Sequence, residues 1–171
     1  MDFYDVLKNR RSFRGYSDQT IPEDSLQRIM QAVQCAPSAC NRQPWRFEIV
    51  FNAGLRQRIG ECYPKTWLLE APAIVVAMAD YSTCWNRLEG TPAAELDLGI
   101  AMEHLVLAAA AENLGTCWIC AFDVPAMAKV FDLPANLTPY VLLALGYPAE
   151  DAAPGPRHFQ RVPLEETVKF L

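Results

Sequence analysis

The sequence predicts an α+β fold in one domain. Two observations carry this. Segments with helical 3–4 spacing and apolar, β-favouring runs occur along the whole chain, yet without the regular βαβ rhythm of a doubly wound sheet. The composition, 51% apolar and 20% charged over 171 residues, supplies enough apolar mass for one packed core.

Each element has a local reason. Residues 2–9 read as a short helix with Phe3, Val6 and Leu7 on one face. Pro22-Glu23-Asp24 opens a second helix that runs to about Ala36, because proline suits a first turn and acids favour the positive helix end. Its inward face is Leu26, Ile29, Met30 and Val33. Pro37 and Pro44 bound a polar loop. Phe47, Ile49 and Phe51 then alternate with Arg46, Glu48 and Val50, the period of a strand. A polar helix fits 53–63, and the run AIVVAMA at 73–79 predicts a buried strand.

A loop at 81–91 precedes a long helix over about 93–113. Its second half, LVLAAAA, is apolar nearly all round, which predicts burial on most sides, at the centre of the domain or in a dimer interface. Gly115 is expected to end it. A strand at 116–121, a short helix at 124–131 and a strand at 140–146 complete the body. From Pro148 the chain becomes proline-rich, with Pro154, Pro156 and Pro163. Residues 148–171 read as an extended arm of the single domain 1–171, with Val162, Leu164, Val168 and Phe170 anchoring its end.

Charge narrows the function. The net charge is −5 and the pI about 5.0, which argues against general nucleic-acid binding. No apolar run reaches the roughly 18 residues of a membrane span. The opening MDFYDVLKNRRS carries early acids and no apolar core, so it is not read as a secretory signal, and a soluble cytoplasmic protein is expected. Against the acidic background stands KNRRSFR at 8–14, where Lys8, Arg10, Arg11 and Arg14 fall together without an acid. The six cysteines read as reduced thiols. Cys117 and Cys120 sit on an expected strand, where residues three apart face opposite ways, so a shared metal is not expected.

Four places can carry chemistry. Arg10, Arg11, Ser12 and Arg14 offer guanidinium forks and a hydroxyl that suit a phosphate, and suit a solvated basic edge equally. Ser38, Asn41 and Gln43, in a loop stiffened by prolines, can read the edge of a planar heterocycle or simply turn the chain. Gly115-Thr116-Cys117-Trp118 either admits a ligand to the backbone or begins a core strand. Arg157, His158 and Arg161 are basic residues near the chain's end.

Taken in order, RRSFRGY, APSACNRQPWRF, the helix AAELDLGIAMEHLVLAAAAENLGTCWICAFD and LALGYPAE resemble the FMN-dependent nitroreductase family in its short form, over roughly residues 3–165. Asn113-Leu114-Gly115 stands where Gly-Leu-Gly is more usual. The resemblance implies a three-layer fold with a mixed, mostly antiparallel sheet flanked by helices, in an intertwined homodimer with FMN at the interface. It implies that Arg10, Arg11 and Ser12 hold the FMN phosphate and ribityl chain, with Arg14 toward N1–O2 as electrostatic support. Pro37, Ser38, Ala39 and Asn41 would come from the other subunit. Gly115, Thr116 and Cys117 would lie near N5–O4, and Arg161, with Arg157 as its alternate, would close on the phosphate.

The implied activity is an oxidoreductase that moves a hydride from NAD(P)H through flavin N5 to an electron-poor acceptor, such as a nitroaromatic or quinone, by a ping-pong mechanism. No side chain is assigned as nucleophile or general acid. The alternative is a non-catalytic FMN carrier or redox sensor. Longer members carry a helical excursion in mid-chain, and here only residues 81–91 occupy that stretch, with Tyr81 or Trp85 as a small lid.

Overall fold

The computed structural model describes residues 2–171. In chain order the elements are α1 (Phe3–Asn9), α2 (Glu23–Gln34), β1 (Trp45–Val50), α3 (Ala53–Glu61), β2 (Ala73–Asp80), α4 (Ala94–Ala111), β3 (Gly115–Ile119), α5 (Val124–Val130), β4 (Leu137–Gly146) and α6 (Leu164–Thr167). Short 3-10 turns occupy Ala39–Asn41, Thr66–Glu70 and Pro156–Phe159. Among the described residues, no helix is long and apolar enough to cross a membrane.

The four strands form one sheet in the order β1-β2-β4-β3, and every ladder in it is antiparallel. The expected mixed character reduces to a single isolated parallel bridge between Ser12 and Thr116. Strand alternation sorts two cores. Ala73, Val75, Ala77 and Ala79 of β2 and Val141, Leu143 and Leu145 of β4 pack with α2 and α4 on one face. Ile74, Val76 and Met78 of β2, Leu142 and Ala144 of β4, and Cys117 and Ile119 of β3 pack on the other face with Ile59 of α3, Leu68 and Met127 of α5. The run AIVVAMA is wholly buried because β2 is covered on both faces. This is the expected three-layer α+β arrangement.

Helix α4 forms the spine of one layer. Leu98, Met102 and Leu105 are fully buried against the sheet, each stabilising the fold by about 1.5–3 kcal/mol. Its end differs from the expectation. Asn113, not Gly115, stops the helix: it takes φ +62°, while Leu114 N–H donates to the Ala109 carbonyl at 2.8 Å and Asn113 N–H to that of Ala110 at 3.0 Å. These are the two bonds of a Schellman motif, and asparagine tolerates the left-handed backbone that glycine usually supplies there.

Three further expectations change. Helix α1 buries only Val6, with Phe3 and Leu7 left exposed, because it meets the body along one narrow line. Phe51 lies past the end of β1 and is exposed, while Val50 takes the buried position facing α3. The anchors of the C-terminal arm are corrected most: Val162, Leu164, Val168 and Phe170 are all exposed. In a single copy of the chain they join neither core cluster.

Candidate functional site

The basic loop is stitched to the sheet's end through its backbone. Phe13 N–H donates to the Thr116 carbonyl at 2.9 Å, beside the Ser12–Thr116 bridge. Ala149 N–H donates to Gly15 at 3.1 Å, and Ser17 N–H to Tyr147 at 2.9 Å. Residues 12–17 thus run between the start of β3 and the chain leaving β4. Tyr16, buried there, donates its hydroxyl to the Phe13 carbonyl at 2.9 Å and fixes the turn. Gly115 is required by packing: a Cβ there would stand 2.9 Å from the Phe13 ring and 3.0 Å from Pro148.

On this platform the two cationic segments meet. A cavity of about 480 Å³ is lined by Arg10, Arg11, Ser12 and Arg14 from the loop and by Arg157, His158 and Arg161 from the arm, with Leu7, Gly155 and Pro156. No acid lines it. The candidates Arg157 and Arg161 therefore both face the cluster, and His158, which the sequence grouped with them, joins them. A smaller cavity of about 190 Å³ lies alongside, walled by Arg10, Arg11, Asn113, Leu114 and Thr116 among others.

Arg11 stands at the wall of both cavities. Its Nη2 donates to the Ala152 carbonyl at 2.7 Å, and its guanidinium lies 3.9 Å from the Phe13 ring centroid. Its Nη1 is buried without an acceptor, and burial lowers the group from its ordinary value. An unsatisfied buried donor on a charged group is costly, and an acceptor oxygen would offset that cost. Arg14 is exposed, with its guanidinium 5.9 Å from the Trp67 ring centroid. Thr116 and Cys117 are buried, and burial raises the Cys117 thiol. Cys117 lies in the core facing α5 and lines neither cavity.

The second candidate loop is elsewhere. Pro37 and Asn41 are exposed, and Ser38 and Ala39 half-buried. Cys40, Asn41 and Gln43 all take positive φ, between 50° and 52°. Gln43 N–H donates to Ser38 Oγ at 2.9 Å, Arg42 to the Cys84 carbonyl at 2.8 Å, and Asp80 N–H to the Pro44 carbonyl at 2.9 Å. Ala39 N–H donates to Asp97 in the first turns of α4 at 3.0 Å. The Arg cluster borders the other end of that helix, at Ala110, Asn113 and Leu114. An 18-residue helix is about 27 Å long, so the structure does not bring the two loops together within one chain.

Tyr81 and Tyr140 both donate to the exposed Glu95, at 2.7 and 2.6 Å, and Trp85 is half-buried. Among the described residues, no group of His, Cys, Asp and Glu could hold a metal.

A family model described as the Nitroreductase family matches residues 7–63 and 60–147. A relative from Methanothermobacter thermautotrophicus, "Putative NADH dehydrogenase/NAD(P)H nitroreductase", is 33% identical over 97% of this chain and 88% of its own length. "FMN reductase [NAD(P)H]" of Bacillus subtilis is 29% identical over 88% of this chain and 68% of its own. A solved nitroreductase family protein from Clostridium difficile 630 superposes with a TM-score of 0.87 at 29% identity, covering 99% of this chain and 98% of that one. Fold, motif order and the cationic cavity therefore have one common explanation: the chain belongs to the Nitroreductase family.

Proposed function

We propose that the protein is an FMN-dependent NAD(P)H oxidoreductase whose acceptor is an electron-poor compound such as a nitroaromatic or quinone. The observation that carries this is the acid-free cavity joining Arg10, Arg11, Ser12 and Arg14 to Arg157, His158 and Arg161, with the buried Arg11 Nη1 lacking an acceptor. The names of the similar proteins, an NAD(P)H nitroreductase and an FMN reductase, support the same chemistry.

The donor set fits FMN. Arg10, Arg11 and Ser12 would hold its phosphate and ribityl chain, with Arg161 or Arg157 closing from the arm; guanidinium forks match phosphate oxygens bidentately. Arg14 would supply positive charge toward the ring. Thr116 sits at the inner edge, beside Gly115. When bound, FMN supplies hydride chemistry at N5 between NAD(P)H and the acceptor. The protein's part is to hold, orient and balance charge; Arg14 acts by electrostatics, not proton transfer. Reductant and acceptor visiting one site in turn give ping-pong kinetics.

The loop Pro37, Ser38, Ala39 and Asn41 would line the ring from a second copy, since in its own chain it lies a helix length away. The surface of α4 supports such a dimer. Leu96, Ile100 and Leu107 form an apolar stripe with helical spacing that the single chain leaves partly open, and the exposed arm supplies Val162, Leu164 and Phe170.

The test is the visible spectrum of the purified protein before and after anaerobic NAD(P)H. A flavin band that bleaches, then returns on adding a quinone, supports the enzyme. A flavin that stays oxidised indicates a carrier or sensor, and colourless protein that takes up no FMN ends the reading.

A further inference from the structure

We infer that Asp97 is a positioning residue that sets the flavin-lining loop 37–43 for binding; this rests on the flavin reading above. The loop holds three non-glycine residues in the left-handed region, Cys40, Asn41 and Gln43. Each such conformation costs free energy and persists only where its surroundings hold it. One tie lies within the loop, where Ser38 Oγ accepts from Gln43 N–H, and one at its end, where the Pro44 carbonyl accepts from Asp80 N–H at the end of β2. Arg42, between two of these residues, is exposed and reaches the Cys84 carbonyl through its side chain. The tie at the turn's first residue comes from α4, where Asp97 Oδ1 accepts the Ala39 N–H at 3.0 Å.

That contact is set in the core. Asp97 is 2% exposed, so its carboxyl cannot exchange the amide for water. It projects from the helix that also carries Leu98, Ala101 and Met102 into the packed layer, so its position is inherited from the rigid centre of the fold. The Ala39 N–H opens the 3-10 turn Ala39–Asn41, where a backbone amide has no acceptor inside the turn. The second oxygen, Oδ2, is buried and has no donor. A buried polar residue with half its capacity unused is kept at a cost to stability. That cost is understood if the residue serves the loop's conformation. Asp97 touches no proposed flavin contact except through Ala39, so its effect is transmitted by that one amide.

The experiment is a double-mutant cycle on FMN affinity, read by flavin fluorescence titration of folded apoprotein. Asp97→Ala removes the acceptor. Ala39→Pro removes the donor without disturbing the turn, because proline suits a first helical position and Ser38, at φ −143° and ψ 159°, already has the extended form that precedes proline. Each single variant is expected to weaken FMN binding by about tenfold or more, the loss expected for a hydrogen bond to a charged group. The double variant should lose no more than the worse single, since the two share one contact. Asp97→Asn keeps an acceptor for Ala39 and should restore affinity to within about threefold, with the bound flavin's visible spectrum unchanged.

Losses that multiply in the double variant overturn the inference, as does an Asp97→Ala protein that binds FMN like the wild type. If Asp97→Ala fails to fold, the Asp97→Asn and Ala39→Pro pair decides alone: equal weakening in both, or in neither, overturns it. Wild-type protein that takes up no FMN overturns the parent reading instead, a result distinct from these.

Discussion

Arg11 Nη2 donates to the Ala152 carbonyl at 2.7 Å, across 141 residues of sequence, and so ties the proline-rich arm to the basic loop. The other head of the same guanidinium, Nη1, is buried without an acceptor. One side chain of the cavity wall therefore both ties the arm to the loop and keeps a buried donor unsatisfied.

Arg11→Lys tests both roles. Lysine keeps the charge but cannot serve two directions from one planar fork. FMN affinity should fall by about tenfold, corresponding to roughly 1.4 kcal/mol at the lower end of charge-assisted hydrogen bonds. Limited proteolysis should cut faster within 150–157. An arm as resistant as in the wild type would show that the Ala152 contact does not hold it.

Arg10→Ala should weaken FMN binding by about 1.5–3 kcal/mol, measured by fluorescence titration. The effect should shrink at high salt if the contact is to a phosphate, because screening weakens a partly exposed ion pair. Affinity unchanged at low salt removes Arg10 from the phosphate site.

Helix α4 should be sensitive at its last turn. Asn113 holds φ +62° with a side chain that pays part of the left-handed cost. Asn113→Gly should raise stability by a few tenths to about 1 kcal/mol, and Asn113→Ala should lower it by about 1 kcal/mol. Thermal or urea unfolding of apoprotein reads both signs, and a lower stability for the glycine variant would contradict the cap.

The Arg28 side chain grips Glu112 through two hydrogen bonds of 2.7 Å and holds its carboxyl down at about 2, from an ordinary 4.5. A depressed carboxyl stabilises the fold fully above its unfolded value, and that contribution disappears as pH falls through the folded value. The melting temperature of Glu112→Gln should lie below that of the wild type by a constant amount above about pH 5, and the gap should close toward pH 2. The pair lies at the surface, with the Arg28 side chain 54% exposed, so salt should narrow the gap.

The apolar stripe of α4 predicts an oligomer. Leu107→Glu should convert a dimer to a monomer in sedimentation velocity and release FMN with it, because the loop from the second copy is then lost. A monomer that keeps its flavin would refute the two-copy site.

By itself the sequence determined the elements and one half of the site. The period of Leu26, Ile29, Met30 and Val33 marked α2, the wholly apolar run at 73–79 marked the doubly covered strand β2, and the arginines at 10–14 marked a basic cluster whose role the residues alone left open, because each signal is local. Tertiary structure decided what joins what. It brought Arg157, His158 and Arg161 to the cluster through a carbonyl at Ala152, which no side-chain pattern announces. It gave the helix stop to Asn113 in place of Gly115, since the choice depends on which residue reaches the left-handed region first. It exposed Phe3, Leu7 and the arm's apolar residues, because burial is a property of the assembled surface and not of the residue. It also set Asp97 under the loop at Ala39, a contact 58 residues apart in sequence that exists only once α4 has packed beside α2.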